Sequence, residues 1–135
     1  MLKKDYPNAT FTLLGSIDFE YANQLSKKIL EKMKLFIQHV DFTNEVSKYI
    51  ESCDCFVLPS YREGTSRSLL EAASVGRPIV TTNVPGCNNI VFNNYNGYLC
   101  NKSSTTSLFN AIEKMINTSY NTRKFMSKNE TCWTR

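Results

Sequence analysis

Two carboxylates stand eight positions apart in the stretch PSYREGTSRSLLEAASVGRP, Glu63 and Glu71. Between them Gly64, Thr65, Ser66 and Arg67 form a small polar turn that opens an apolar helix. A carboxylate accepts hydrogen bonds and donates none, so hydroxyl groups are its natural neutral partners. The first N–H groups of a helix lack partners within the helix and carry the positive end of its dipole, which suits phosphate. Gly64 lets a ligand approach the backbone, and Thr65 or Ser66 can cap the helix without bulk. From Thr65 to Glu71 a helix rises about 9 Å, comparable to the span from a diphosphate to the ribose of the same nucleotide. Glu71 facing the cleft would accept from ribose hydroxyls, the helix start would hold phosphate, and Glu63 would face the group beyond. The same spacing also fits two glutamates turned to solvent, and taken alone it does not separate the two readings.

The elements that must position these residues alternate along the chain. TFTLLG (10–15) reads as a strand stopped by glycine. In 20–35 the residues Tyr21, Leu25, Ile29 and Met33 recur every four positions among lysines, an amphipathic helix. LFIQHV (35–40) is a second strand, and 43–53 a second helix with Val46, Tyr49 and Ile50 on its apolar face. CFVLP lacks alternation, as expected of a central strand covered on both faces, and it delivers the chain to the Glu63 turn. Leu69, Leu70, Ala72, Ala73 and Val75 make the next helix, closed by Gly76 and Pro78. PIVTT and GYLC are further strands. Leu108, Ala111, Ile112, Met115 and Ile116 mark a last amphipathic helix behind the capping candidates Ser103 and Ser104. From Tyr120 onward apolar periodicity fades, so 120–135 reads as an irregular or truncated tail, with Trp133 arguing for some docking.

Strands alternating with helices at this spacing predict an α/β fold, a Rossmann-like parallel sheet with helices on both faces and right-handed crossovers. Ligands of such sheets bind at the carboxyl ends of the strands, where the Glu63 turn falls. The 135 residues, 41% hydrophobic and 21% charged, suffice for one packed domain. The net charge of +4 is dispersed, with pairs such as Lys3-Lys4 and no dense basic stripe, which argues against nucleic acid. The five cysteines, Cys53, Cys55, Cys87, Cys100 and Cys132, show no CxxC spacing and read as buried thiols. His39, the sole histidine, has no partner at ligand spacing, so no metal site is expected. The N-terminus lacks the apolar core of a signal peptide, and no run reaches the roughly 18 apolar residues of a membrane helix; the expectation is a cytoplasmic protein. LLGSIDFE carries no GxGxxG, which leaves a dinucleotide-binding domain without support.

The wording FVLPSYREGTSRSLLEAASVGRPIVTTNVPGC followed by NGYL resembles the donor half of retaining GT-B glycosyltransferases of the family 4 type, over about residues 9–116. The resemblance implies that Glu71 binds the nucleotide ribose. Glu63 contacts the donor sugar and supports reaction at its anomeric carbon, the catalytic role. The backbone from Gly64 through Thr65 and Ser66 to Arg67 meets the diphosphate and sugar. It implies no essential metal and no cofactor beyond the nucleotide-sugar substrate, a UDP-sugar, with N-acetylhexosamine among the hexosyl groups suggested by the wording. IQHVDF matches the segment bordering the base, where Val40 would offer backbone contacts and Asp41 stands in place of the usual glycine. Ser66 replaces a frequent proline, and Asn88 and Asn89 replace a common arginine and glutamate.

A member of this family also carries an N-terminal acceptor domain and a preceding strand unit whose arginine and lysine neutralise the diphosphate; Lys3 and Lys4 do not match them. The expectation is therefore a partial nucleotide-sugar-binding domain over 1–119, inactive alone, whose glycan or lipid-linked acceptor is held by a missing N-terminal domain. The full enzyme would associate peripherally with the inner face of the membrane. The alternative is a non-catalytic nucleotide-sugar-binding module, or a subunit completing a separate acceptor-domain protein.

Overall fold

The structure is a computed structural model that describes residues 2–16 and 24–128. Tyr21, Cys132 and Trp133 lie outside the described residues. The chain divides into two compact units, Met1–Val46 and Ser47–Arg135.

In the first unit, helix α1 (Leu2–Asp5) precedes β1 (Thr12–Leu14), then α2 (Gln24–Met33) and β2 (Gln38–Val40) follow. The two strands are parallel, with Thr12 opposite Gln38 and Leu14 opposite Val40. The second strand is shorter than its apolar run suggests because Leu35 and Phe36 close α2, their amides donating to the Lys32 and Met33 carbonyls. Ile29 and Met33, on the expected apolar face of α2, are 49% and 37% exposed. Lys3, set aside in the sequence as a phosphate ligand, donates to the Pro7 and Ala9 carbonyls at 2.7 and 2.6 Å.

Helix α3 (Val46–Ser52) leads into the second unit and buries Ile50 completely. That unit then runs through β3 (Phe56–Leu58), α4 (Arg67–Ser74), β4 (Ile79–Thr82), β5 (Gly97–Cys100), α5 (Thr105–Asn117) and α6 (Tyr120–Lys128). Its sheet is parallel in the order β3-β4-β5. The central strand is therefore β4, buried at all four positions. CFVLP supplies an end strand instead, with Val57 36% exposed. Both runs lack alternation, so hydropathy alone could not rank them; the order of pairing does. Val80, Tyr98 and Cys100 of the sheet meet Ala111 and Met115 of α5 and Met126 of α6 in one cluster. Successive strand side chains alternate in direction, which turns Ile79 and Thr81 to the opposite face.

Local chemistry sets the helix ends. Gly76, at φ 72°, closes α4 by donating to Ala73 while Arg77 donates to Ala72, the paired bonds of a left-handed cap. The expected irregular tail is corrected for 120–128, which is helical. The Ser119 hydroxyl accepts from the Thr122 amide at 3.2 Å, and Met126 sinks into the core at 2% exposure. The sparse apolar pattern hid this helix, because one well-buried methionine and a cap suffice to dock it. The NGYL wording is structural too. Asn96 is buried, accepting from the Phe92 amide and donating to the Ile90 carbonyl. A Cβ on Gly97 would lie 2.0 Å from the Ile79 carbonyl oxygen.

Cys53, Cys55, Cys87 and Cys100 are free, the last two buried. Burial pushes the Cys55 thiol up to about 12, with the neighbouring Cys53 thiol adding to the shift. Its thiolate fraction near neutral pH is then about a thousandfold below that of an ordinary cysteine. Iodoacetamide at pH 8 is expected to leave Cys55 unlabelled in the native chain and to label it in urea, read by mass spectrometry. Gly97→Ala is expected to lower unfolding free energy by about 1–3 kcal/mol in denaturant melts.

Candidate functional site

The site lies where β3 and β4 end in the second unit. Thr81 and Thr82 of β4 are buried, and their hydroxyls donate to the Leu58 carbonyl (2.8 Å) and the Ser60 carbonyl. These bonds fix how the chain leaves β3 through Pro59 and Ser60. The Ser60 hydroxyl then donates to the Glu63 carboxylate at 2.6 Å, which orients that side chain within the turn.

Ser66 caps α4. Its backbone is extended, it is 4% exposed, and its hydroxyl accepts from the Leu69 amide at 3.4 Å. The helix thus begins at Arg67, two residues later than a start at Thr65, and Ser66 to Glu71 rises about 7.5 Å. The amides of Arg67 and Ser68 have no partner within the helix, as at any helix start. Gly64, Thr65 and Arg67 are exposed beside them. On the same helix Glu71 accepts a hydrogen bond from the Ser47 hydroxyl on α3. One Glu71 oxygen is engaged in this way, and the carboxylate has acceptor sites left for another hydroxyl.

Two glycines of this region differ in what surrounds them. At Gly64 a Cβ would meet nothing within 4 Å, and the backbone is not left-handed. At Gly86, with φ +87°, a Cβ would lie 1.8 Å from the Gly64 carbonyl oxygen and 2.6 Å from that of Glu63. The PGC turn therefore presses directly on the inner side of the Glu63–Gly64 turn. Asn88, in place of a commoner arginine, donates to the Asn83 side chain at 2.9 Å and braces the same loop. A cleft of about 100 Å³ opens alongside between Pro59, Tyr61, Thr82, Cys100 and Ser103, at the carboxyl ends of all three strands.

All six residues singled out in the sequence, Glu63, Gly64, Thr65, Ser66, Arg67 and Glu71, thus lie along one continuous turn and helix start. Sequence reasoning missed Ser47, Ser60, Thr82 and Gly86. The paired threonines at the end of PIVTT and the glycine after Pro85 were the available signals. In the first unit, the Val40 carbonyl already accepts the Gly15 amide at 3.0 Å, so its backbone is partly committed. The Ser16 hydroxyl, followed by the Phe42 amide, holds the exposed Asp41 carboxyl below the usual carboxylate range. Among the described residues no three His, Cys, Asp or Glu side chains converge, and no helix is long and apolar enough to cross a membrane.

Residues 1–133 match the family described as glycosyl transferases group 1. An uncharacterized glycosyltransferase of Haemophilus influenzae is 31% identical over 118 residues, 87% of this chain and 33% of its own length. An Escherichia coli UDP-Gal:α-D-GlcNAc-diphosphoundecaprenol α-1,3-galactosyltransferase is 29% identical over 91% of this chain and 31% of its own length. The chain thus spans about a third of the length of these curated relatives. In fold it is similar to Anabaena HepE in complex with UDP (TM-score 0.79, 23% identity, 92% of this chain and 35% of HepE). It is likewise similar to the C-terminal domain of a group 1 glycosyl transferase, LpcC, from Francisella tularensis (TM-score 0.81, 23% identity, 95% of this chain and 69% of that domain). The expected Rossmann-like α/β architecture is the one found.

The two glycines should behave oppositely in thermal melts. Gly86→Ala must displace the Glu63–Gly64 peptide and is expected to cost about 1–3 kcal/mol. Gly64→Ala is expected to change stability by no more than about 0.5 kcal/mol.

Proposed function

Because the chain belongs to the glycosyl transferases group 1 family, we propose that it is the donor-binding part of a retaining hexosyltransferase that uses a UDP-sugar. The acceptor in this reading is a lipid-linked or polysaccharide glycan. The observation that carries the proposal is the arrangement around the start of α4: Glu63 before it, Glu71 along it, and open space at Gly64 between them. The family match and the UDP found with HepE support the choice of a nucleotide-sugar ligand, and the Escherichia coli relative supports a lipid-linked acceptor.

The diphosphate lies against the free amides at the helix start, where the dipole stabilises the negative charge that grows on the departing nucleotide. Glu71 accepts from a ribose hydroxyl, with Ser47 steadying its other oxygen. Glu63, oriented by Ser60, faces the donor sugar and favours positive charge at the anomeric carbon as the bond to phosphate breaks. Arg67 at the first helical position adds a cation near the phosphates. Uncharged hydroxyls meet the carboxylates and phosphate meets the amides, so no like charges are forced together.

The matched relatives are about three times as long as this chain, and the acceptor is assigned to a domain beyond the matched third. Transfer requires donor and acceptor held together, an advantage of about 7–11 kcal/mol at best. The isolated chain is therefore expected to bind donor without measurable turnover. A whole enzyme with a lipid-linked acceptor would work at the inner face of the membrane.

Calorimetric titration with UDP, UDP-glucose and UDP-N-acetylglucosamine tests the reading, with NAD as the control that should not bind. Glu71→Ala is expected to weaken UDP about tenfold to a hundredfold, the effect of one charge-assisted hydrogen bond. Gly64→Ala should weaken UDP while leaving the melt unchanged. Glu63→Gln should spare UDP and reduce the preference for UDP-sugar over UDP. Unaltered UDP affinity in both Glu71→Ala and Gly64→Ala would overturn the assignment.

A further inference from the structure

A second and larger cavity opens at the other ends of the strands. It measures about 360 Å³ and is lined by Asp54, Arg77, Tyr120, Arg123, Lys124 and Ser127, closed on one side by the Gly76–Pro78 turn. Asp54 lies just before β3 and Pro78 just before β4, which places the cavity at the amino ends of the sheet, opposite the Glu63 loop. Its other wall is the length of α6 from Tyr120 to Ser127.

Three cations and a single carboxylate face this space. Two of the cations are held in place by the ends of helices. Arg77 donates through Nη1 to the Cys53 carbonyl at 3.1 Å, just past α3. Arg123 donates through Nη1 to the Thr118 carbonyl at 2.9 Å and reaches those of Met115 and Ile116 at 3.4 Å, at the end of α5. A guanidinium has five N–H donors in a fixed fork, so each arginine retains donors for a further acceptor. Helix capping accounts for one edge of each fork and leaves the space between them unexplained. The Arg77 Nε is buried without a hydrogen-bond partner among the described residues. Arg77 is half-buried, and a partly desolvated cation gains more from a nearby anion than one in water does.

The third cation is the most adaptable. Lys124 Nζ stands 5.9 Å from the Tyr120 ring centroid, and Tyr120 is 70% exposed. An ammonium next to an exposed ring at the mouth of a cavity offers a point charge and a flat apolar face together. The volume exceeds what an inorganic phosphate needs, since one water takes about 30 Å³ of liquid.

We propose that this cavity binds a small organic phosphate. Arg77, Arg123 and Lys124 hold the phosphate, the Tyr120 ring covers the organic part, and the Ser127 hydroxyl is a further donor. Asp54 favours a ligand with hydroxyl groups near its phosphate, because a carboxylate accepts from hydroxyls and repels a second anion. Both a soluble sugar phosphate and the headgroup of an anionic phospholipid carry this chemistry. The site does not depend on donor binding at Glu63 and Glu71.

The test is residue-by-residue NMR of the full 135-residue chain, titrated separately with inorganic phosphate and glucose 1-phosphate, with sedimentation on phosphatidylglycerol vesicles alongside. Saturable shifts are expected at Gly76, Tyr120, Lys124 and Ser127, at lower glucose 1-phosphate than inorganic phosphate concentration, and without matching shifts at Gly64 to Glu71. Lys124→Glu, an exchange on the surface of α6, is expected to weaken binding about tenfold or more, as reversal of one ligand-facing charge should. Tyr120→Ala should weaken glucose 1-phosphate more than inorganic phosphate. Vesicle binding that is lost in Lys124→Glu, with no response to glucose 1-phosphate, would identify the source as a lipid headgroup. The proposal is overturned if neither phosphate nor vesicles perturb these residues, or if Lys124→Glu and Tyr120→Ala bind as the native chain does.

Discussion

The inner side of the Glu63–Gly64 peptide has no spare volume: one methyl group on Gly86 would fall 1.8 Å from the Gly64 carbonyl oxygen. The shape of the candidate site converges on this backbone contact. The central strand β4 supplies it from one direction, because the chain leaving Thr82 turns within a few residues to bring Gly86 back against the loop. The same strand supplies it from the other, through the Thr81 and Thr82 hydroxyls that fix the exit of β3 at Leu58 and Ser60. Glycine at 97 lets β5 lie close enough to β4 for the strand to be buried at every position. A rigid centre with a loop pressed onto its end is what gives Glu63 a defined place despite its position in a surface turn.

Glycines on the two sides of that turn serve opposite needs. Gly86 and Gly97 are small because the protein's own backbone fills the space. Gly64 is small with nothing of the protein nearby, and its backbone does not require glycine. A residue whose smallness the fold does not use leaves the backbone open to approach from outside, which is what the proposed donor site requires of Gly64. The carboxylates fit this picture. Each is steadied by a serine hydroxyl, Ser60 for Glu63 and Ser47 for Glu71, and each keeps acceptor capacity for a further hydroxyl.

Polar bonds at the two ends of the sheet have different consequences. At the carboxyl ends they organise a turn in which helix-start amides lie between two serine-held carboxylates. At the amino ends two arginines are anchored on helix termini, and their remaining donors face a cavity. Positive charge there is a by-product of capping α3 and α5, and it becomes a recognition surface only because α6 closes a wall around it with Lys124 and Tyr120.

The sequence by itself determined the alternation of strands and helices up to α5, a helix start capped at Thr65 or Ser66 behind the Glu63 turn, and the stop at Gly76. These are local matters, written in apolar spacing and in the few side chains that suit a helix end. Several features were not legible. CFVLP and IVTT both lack alternation, and their rank in the sheet depends on which strands pair with β4. Ser47 lies 24 positions before Glu71, and no periodicity links them. Gly86 and Gly97 appear in the sequence only as recurring words, whose necessity comes from carbonyl oxygens of distant residues. Helix α6 was hidden because one buried methionine carries its docking. Tertiary structure alone decided these points, since each rests on contacts between residues far apart in the chain, which local propensity does not encode.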